Sequence, residues 1–280
     1  MLNYPAFDPI ALKIGPVTLP WLGAVTLKLR WYGIMYVVGF LAAWAIARQR
    51  ARRPGSTWTT IDVDDFLFFT VFGVIIGGRL GWLLFYGHDA LASDPSYWYK
   101  IWEGGMSFHG GLVGVIVALA IFAVRRGRRI VDVWDFATPL PAIGFGAGRI
   151  GNFINGELWG KPTDLPWGFA VRQPDGTVVG LHASQLYEAG LEGGLLFLIM
   201  WWFTSSPRPR WAPSGLFLVS YSSCRILVEF VRVPDVQLGY LAGGWLTMGI
   251  VLSLPMLVAG IAMLVYAYRR REPSGNYQAA

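Results

Sequence analysis

Charge is scarce in this chain. Only 14% of its 280 residues are Asp, Glu, Lys or Arg, against about 25% in an average soluble domain. A single cysteine, Cys224, excludes an internal disulfide and any multi-cysteine metal centre. Three widely separated histidines, His88, His109 and His182, give no clustered ligand set, so neither a metal nor another cofactor is expected. The first thirty residues lack a basic stretch followed by an apolar core, so no cleavable signal peptide is expected. There is no internal repeat, and low complexity is confined to a polar tail over 272–280.

What the chain does have is apolar and aromatic. It is 54% hydrophobic, with 14 Trp, 12 Tyr and 35 Gly, and its mean hydropathy is +0.46. That is the composition of a polytopic membrane protein, in which aromatics sit at the interfaces and glycines let helices approach. The net charge of +6 would by itself admit a nucleic-acid partner. The basic residues instead cluster between apolar segments, which is a topology signal, so no nucleic-acid partner is expected.

Length and lack of charge predict an all-α polytopic fold of about seven transmembrane helices. They run over Tyr32–Ala47, Asp65–Tyr86, Met106–Val124, Phe136–Ile154, Ala183–Phe203, Ser214–Val231 and Gly243–Tyr268. One set of loops holds thirteen basic residues in the clusters at 48–53, 125–129, 208–210 and 269–271, and the alternate set holds seven: Lys13, Lys28, Arg30, Lys100, Lys161, Arg172 and Arg232. The richer side is cytoplasmic, which places the N-terminus outside and the C-terminus inside. The expected organisation is an interfacial N-terminal segment over 1–31, a membrane domain over 32–271 with an external cap insertion at 156–182, and the tail. Within the cap, Asp175-Gly176 between short apolar runs signals a β-hairpin.

Arg79, Arg149 and Arg225 belong to neither loop set. A charged residue at the centre of a span costs about 2.5–3.5 kcal/mol on insertion scales and is by default functional. The densest polar run is Gly148-Arg149-Ile150-Gly151-Asn152-Phe153-Ile154-Asn155-Gly156-Glu157-Leu158-Trp159-Gly160. At 1.5 Å per residue, Arg225 lies about 16 Å and Arg79 about 21 Å from the inner ends of their spans. Arg149 and Asn152 fall near the outer end of theirs, while Tyr32, His109, Gln185 and Glu188 open spans that start outside. Intramembrane polar residues thus gather in the outer half, as a shared cavity facing the outer leaflet requires. Arg225 and Glu229 are four apart and pair on one helical face. Arg149, Asn152 and Asn155 recur at three, and Gln185, Glu188 and Glu192 at three and four.

Five segments together carry a resemblance that covers nearly the whole chain. They are Arg30-Trp31-Tyr32-Gly33, Gly78-Arg79-Leu80-Gly81, His109-Gly110-Gly111-Leu112, the Gly148–Gly160 run and Arg225–Asp235. In order and spacing they resemble the signature segments of bacterial prolipoprotein diacylglyceryl transferases. The resemblance implies transfer of the sn-1,2-diacylglyceryl group of phosphatidylglycerol to the thiol of the lipobox cysteine of a preprolipoprotein. A thioether forms and glycerol phosphate is released, in the first step of lipoprotein maturation, at the outer face of the inner membrane. The implied partners are phosphatidylglycerol, the signal peptide bearing the lipobox cysteine, and the lipid bilayer.

The reaction needs a thiolate, because the thiol is a poor nucleophile, and it needs stabilisation of the departing phosphate. Guanidinium suits the second task, since its planar fork binds phosphate bidentately and stays charged. Arg149 and Arg225 are the candidates for it, with Glu229 orienting Arg225. Asn152, Asn155, Glu157 and Gly160 are expected at the head-group site. Tyr32 is placed to reach a head group from the interface. Histidine is the side chain whose unperturbed charge change falls near neutral pH, so His109 is the candidate proton acceptor. Arg79, Gln185 and Glu188 are expected to support the site, Arg79 either by snorkelling to the interface or by pairing with an acid such as Glu188. A transporter of anionic solutes is the competing class; it requires repeat-related halves and a midplane site.

Overall fold

The computed structural model describes residues 1–5, 7–19, 23–234 and 239–278. Asp235, which closes the motif begun at Arg225, and the last two residues of the tail lie outside the described residues. The chain packs as two compact units, one of Met1–Ala43 with Thr138–Arg271 and one of Trp44–Ala137 with Glu272–Ala280.

The elements are β1 (Leu2–Asn3), β2 (Ile10–Leu19), β3 (Gly23–Arg30), α1 (Trp31–Ala51), α2 (Thr60–Phe85), α3 (His88–Ser93), α4 (Phe108–Arg125), α5 (Ile130–Ala137), α6 (Leu140–Asn155), β4 (Phe169–Arg172), β5 (Val178–Leu181), α7 (Ser184–Glu188), a π-helical stretch over Ala189–Leu195, α8 (Leu196–Phe203), α9 (Ala212–Glu229) and α10 (Met248–Arg270). Among the described residues, four helices are long and apolar enough to cross a membrane: α1, α2, α4 and α10. Phe68, Phe72, Ile76, Leu80 and Leu84 recur every fourth residue on α2, and each is 46–67% exposed. An apolar stripe of that length is lipid-facing surface.

The other three expected spans fall short for a physical reason. Pro139 and Pro141 break the fourth, so that α5 ends at Ala137 and α6 starts at Leu140. A proline in the first turn of α6 removes no hydrogen bond that the helix would make. The segments over 184–203 and 212–229 are helical but carry Gln185, Glu188, Glu192, Arg225 and Glu229. α9 holds Arg225 and Glu229, whereas α6, α7 and α8 are each too short to cross by themselves, the fifth expected span being divided by the π-helical stretch.

In the second unit, α2 opens on a capping box, in which Asp62 N–H donates to Thr59 Oγ1 at 3.1 Å and Thr59 N–H to Asp62 Oδ2 at 2.9 Å. Its middle runs along α4 through glycines. A Cβ added at Gly77 would stand 2.6 Å from Gly114 Cα, and one at Gly81 2.6 Å from Gly110 Cα. Trp58 stacks on Phe136 at 3.8 Å between centroids and donates its indole N–H to Asn276 Oδ1 at 2.7 Å. The polar tail is therefore folded back onto this unit. Asn276 Nδ2 donates to the Asp132 carbonyl, and Thr57 Oγ1 to the Gly275 carbonyl, both at 2.7 Å.

In the first unit, α9 and α10 meet where a Cβ on Gly215 would lie 3.0 Å from the Gly260 carbonyl oxygen. Phe203, Ala212 and Ala267 bury one another at the end of this bundle. The expected hairpin forms, with β4 and β5 antiparallel and Phe169 opposite Leu181. Its turn is fixed by Asp175 Oδ1 accepting from Thr177 N–H at 3.0 Å and by Gly176 at φ +87°. The N-terminal segment, expected only to lie along the interface, is also stranded. Leu2–Asn3 adds to β4 in parallel, and β2 pairs with β3. Its β-bulge and Gly15-Pro16 interrupt the alternation that would have revealed a strand.

Candidate active site

The first unit brings residues from α6, α7, the π-helical stretch, α9 and the segment after α9 to one buried ionic cluster. Glu188 is its hub, with no exposed side-chain surface. Its Oε2 lies 2.6 Å from Arg149 Nε and 3.3 Å from an Arg225 terminal nitrogen, and its Oε1 lies 3.4 Å from Arg232 Nε. Arg225 also pairs with Glu229 one turn on, and with Glu192 Oε1 at 3.6 Å. Glu229 Oε1 is 2.9 Å from Arg232, and its Oε2 accepts the Thr247 hydroxyl at 2.7 Å. Thr247 is the N-cap of α10, so the Glu229 carboxylate sits at a helix N-terminus, where the macrodipole favours an anion. Gly249 makes this possible, because a Cβ there would come within 2.5 Å of that carboxylate.

The Gly148–Gly160 run supplies the amides beside the cluster. Arg149 reaches Asn152 Oδ1 at 3.4 Å, and Asn152 Nδ2 donates to Glu157 Oε1 at 2.8 Å, as Asn155 Nδ2 does at 3.2 Å. Gln185 is fully buried and donates to the Glu157 carbonyl at 2.5 Å. The helix stops at Gly156, whose left-handed φ of +69° lets the chain turn back toward Asn152. Asn155 Oδ1 and Gln185 Oε1 are buried acceptors that take no hydrogen bond from any described residue. Tyr32 lies against the same helix. A Cβ at Gly151 would be 3.0 Å from its ring, and its hydroxyl is 3.0 Å from that of Tyr36.

Gly160 lies where the cap meets the end of α9. Its N–H donates to the His182 carbonyl at 2.8 Å, it bridges Arg232, and a Cβ would meet the Val231 carbonyl at 2.5 Å. Close backbone approach therefore accounts for this glycine. Burial, and then the charge of Lys161, push the His182 imidazole below its ordinary value; its Nδ1 shares a hydrogen bond with the Tyr187 hydroxyl at 3.2 Å.

Two expected site residues belong to the second unit. His109 is exposed on the first turn of α4, beside Phe108. Arg79 is buried, and its partners correct the expectation of an acid. Its guanidinium donates to the carbonyls of Tyr97, Trp98 at 3.2 Å, Lys100 at 3.1 Å, Gly104 at 2.5 Å and Gly105 at 3.2 Å, and lies over the Tyr97 ring. Five carbonyls disperse its charge and hold the loop over 97–105 in place, while Glu188 is taken by three other arginines. Sequence reasoning missed Arg232, which it counted as a loop charge, and Thr247. The three-residue step from Glu229 to Arg232 was the available signal.

These features define the class: a helical membrane protein whose polar chemistry is concentrated in a buried guanidinium–carboxylate cluster. Residues 10–266 match the family described as prolipoprotein diacylglyceryl transferase. Three curated relatives, each named phosphatidylglycerol--prolipoprotein diacylglyceryl transferase, are similar over nearly their whole length. That of Methylococcus capsulatus is 52% identical over 97% of this chain and 100% of its own. The Pseudomonas aeruginosa protein is 52% identical over 96% and 97%, and that of Oleidesulfovibrio alaskensis 51% over 97% of each. The chain belongs to the prolipoprotein diacylglyceryl transferase family.

Proposed function

We propose that this protein transfers the sn-1,2-diacylglyceryl group of phosphatidylglycerol to the thiol of a preprolipoprotein lipobox cysteine. The observation that carries the reading is the meeting of Arg149 and Arg225, from two helices, on Glu188. Each keeps some side-chain exposure, 26% and 15%, whereas Glu188 has none, so of these three groups the guanidiniums are the ones a ligand can reach. An anionic phosphodiester is the ligand that complements them.

In this reading Arg149 and Arg225 hold the phosphate. The glycerol hydroxyls of the head group donate to Asn155 Oδ1 and Gln185 Oε1, buried side-chain amide acceptors that take no hydrogen bond from any described residue. Asn152 and Glu157 brace Arg149, and Tyr32 borders the head group. His109 takes the thiol proton. The thiolate sulfur attacks the glyceryl carbon that bears the phosphate. The carbon–oxygen bond breaks with its electron pair going to the phosphate oxygen, and glycerol phosphate leaves with the charge held by the guanidiniums. The enclosing membrane is the bacterial inner membrane, crossed seven times, with the site toward the periplasmic leaflet.

Arg149→Ala and Arg225→Ala are expected to abolish transfer from phosphatidylglycerol to a lipobox peptide, while each protein is recovered from membranes at normal yield. Removing one donor aimed at developing charge costs about 10²–10³ in rate. Full activity in both variants would remove the phosphate assignment.

A further inference from the structure

The cluster is balanced before any lipid is considered. Arg149, Arg225 and Arg232 face Glu188, Glu192 and Glu229, so three positive charges meet three negative ones. Glu157, with its two amide donors, adds a fourth carboxylate close by. A phosphodiester brings one more negative charge into a site where unpaired charge is strongly disfavoured. Either it is repelled or one carboxylate gives up its charge.

The three glutamates are not equally held. Glu188 is shared by three guanidiniums. Glu229 has two, and the Thr247 hydroxyl besides. Glu192 faces one, at 3.6 Å, although its side chain is only 3% exposed; its Oε1, like that of Glu188, takes no hydrogen bond from any described residue, so the single long ion pair is what sets it apart. The other titratable and charged groups facing it are Glu188 on α7, Arg149 on α6, and Tyr221 and Cys224 on α9. Neutralising Glu192 therefore sacrifices the least pairing.

Backbone geometry explains why Glu192 stands where it does. It lies mid-way in the π-helical stretch Ala189–Leu195, a rare helical form that is frequent at functional sites. The stretch is seated against α6 by paired glycines. A Cβ on Gly193 would lie 2.6 Å from Gly146 Cα, and Arg149 is three residues beyond Gly146 on that helix. The packing that admits the π turn thus also brings Glu192 to the arginines.

The geometry points to Glu192 as a positioning residue that carries a proton when phosphatidylglycerol is bound, so that the anionic phosphate replaces its charge beside Arg225. The Arg225 nitrogen that faces both Glu188 and Glu192 is the donor that turns to the phosphate. No covalent step is involved: one proton enters with the lipid and leaves with the anionic product. The inference rests on the proposed lipid reading.

The test uses the full-length protein in mixed micelles, with phosphatidylglycerol and a lipobox peptide as substrates, from mildly acidic to alkaline pH. In the unaltered protein KM for phosphatidylglycerol is expected to rise with pH as Glu192 loses its proton. In Glu192→Gln, a neutral isostere, KM is expected to stay flat and to fall below the unaltered value at alkaline pH. Glu188→Gln, which removes the shared hub, is expected to raise KM at every pH. A KM that is flat in the unaltered protein, that rises in parallel in Glu192→Gln, or that is raised in Glu192→Gln at all pH would overturn the proposal. If the unaltered protein yields no product from phosphatidylglycerol, the lipid reading fails and the proposal fails with it. An active protein with the wrong pH pattern removes the Glu192 role alone.

Discussion

Every carboxylate of the ionic cluster faces at least one guanidinium, an opposite charge that opposes proton uptake and makes the cluster a poor place to find the base that ionises the thiol. His109 is exposed, lies in the other unit, and is the remaining imidazole of a signature segment. General-base catalysis is worth about 10²–10⁴ in rate. A free thiol with a pKa of about 8.5 ionises unaided above that pH. His109→Ala is therefore expected to slow transfer strongly at neutral pH and much less at alkaline pH, read from the pH profile of kcat. A loss of the same size at every pH would assign the proton to another group. At this scale the sequence was legible wherever charge stood in an apolar segment. Arg149, Arg225 and Glu229 were recognisable by type and spacing, because nothing else explains such residues in hydrocarbon. Arg79 was recognisable as needing a partner but not as to which. Its partners are main-chain carbonyls of an irregular loop, and carbonyls have no signature in a sequence. Arg232 was hidden by its neighbourhood: it follows the helix end, where a basic residue ordinarily faces water.

Helix packing in the second unit depends on absent side chains. Gly73, Gly77 and Gly81 recur every four residues on α2 and face Gly110 and Gly114 on α4, a small-residue seam of the kind that lets membrane helices approach. The atoms that a side chain at Gly77 would meet are backbone, Gly114 Cα at 2.6 Å among them, so no rotamer change relieves the clash. Gly77→Val is expected to destabilise the protein by about 1–3 kcal/mol, the usual range for overpacking. Thermal unfolding in detergent would register this as a lowered Tm; an unchanged Tm would mean that the two helices are free to separate at that point. The spacing of this seam was readable in the sequence, as was the hairpin at Asp175-Gly176, because both rest on local residue type. The π-helical stretch was not. Ala189–Leu195 carries three glycines, which weaken a helix without specifying its form, and the extra residue in its turn is decided by the fit of Gly193 against Gly146, a contact between distant parts of the chain.

For the whole molecule, the proposed orientation rests on the basic residues at the helix ends of each unit taken by itself. In the second, the basic ends of α1 and α4 gather at the acidic start of α2. Arg48 at the end of α1 pairs with Asp64 near the start of α2 at 3.3 Å, and Arg126 after α4 pairs with Asp62 at 3.7 Å and with Asp65. In the first, Phe203, Ala212 and Ala267 gather the end of α8, the start of α9 and the end of α10, the ends that border Arg208, Arg210 and Arg269–Arg271. Several of these arginines are ion-paired, yet orientation follows the count of Lys and Arg and not net charge. The hairpin tip and the α8–α9 loop flank the helical segment 184–203. Twenty helical residues rise about 30 Å, enough to cross the hydrocarbon core. If that segment spans, its two ends face opposite compartments. Cysteine labelling tests this cleanly, because the sole native thiol, Cys224, is buried. Asp175→Cys and Ser205→Cys each place a thiol on an exposed residue. A membrane-impermeant maleimide applied to intact spheroplasts is expected to label Asp175→Cys and to leave Ser205→Cys unmodified until the membrane is lysed. The reverse pattern would invert the protein and turn the arginine cluster toward the cytoplasmic leaflet. Labelling of both from outside would mean that residues 184–203 do not cross. Glu188 and Glu192 would then belong to a helix that enters and leaves by the same face, and the proposed count of seven spans would fail.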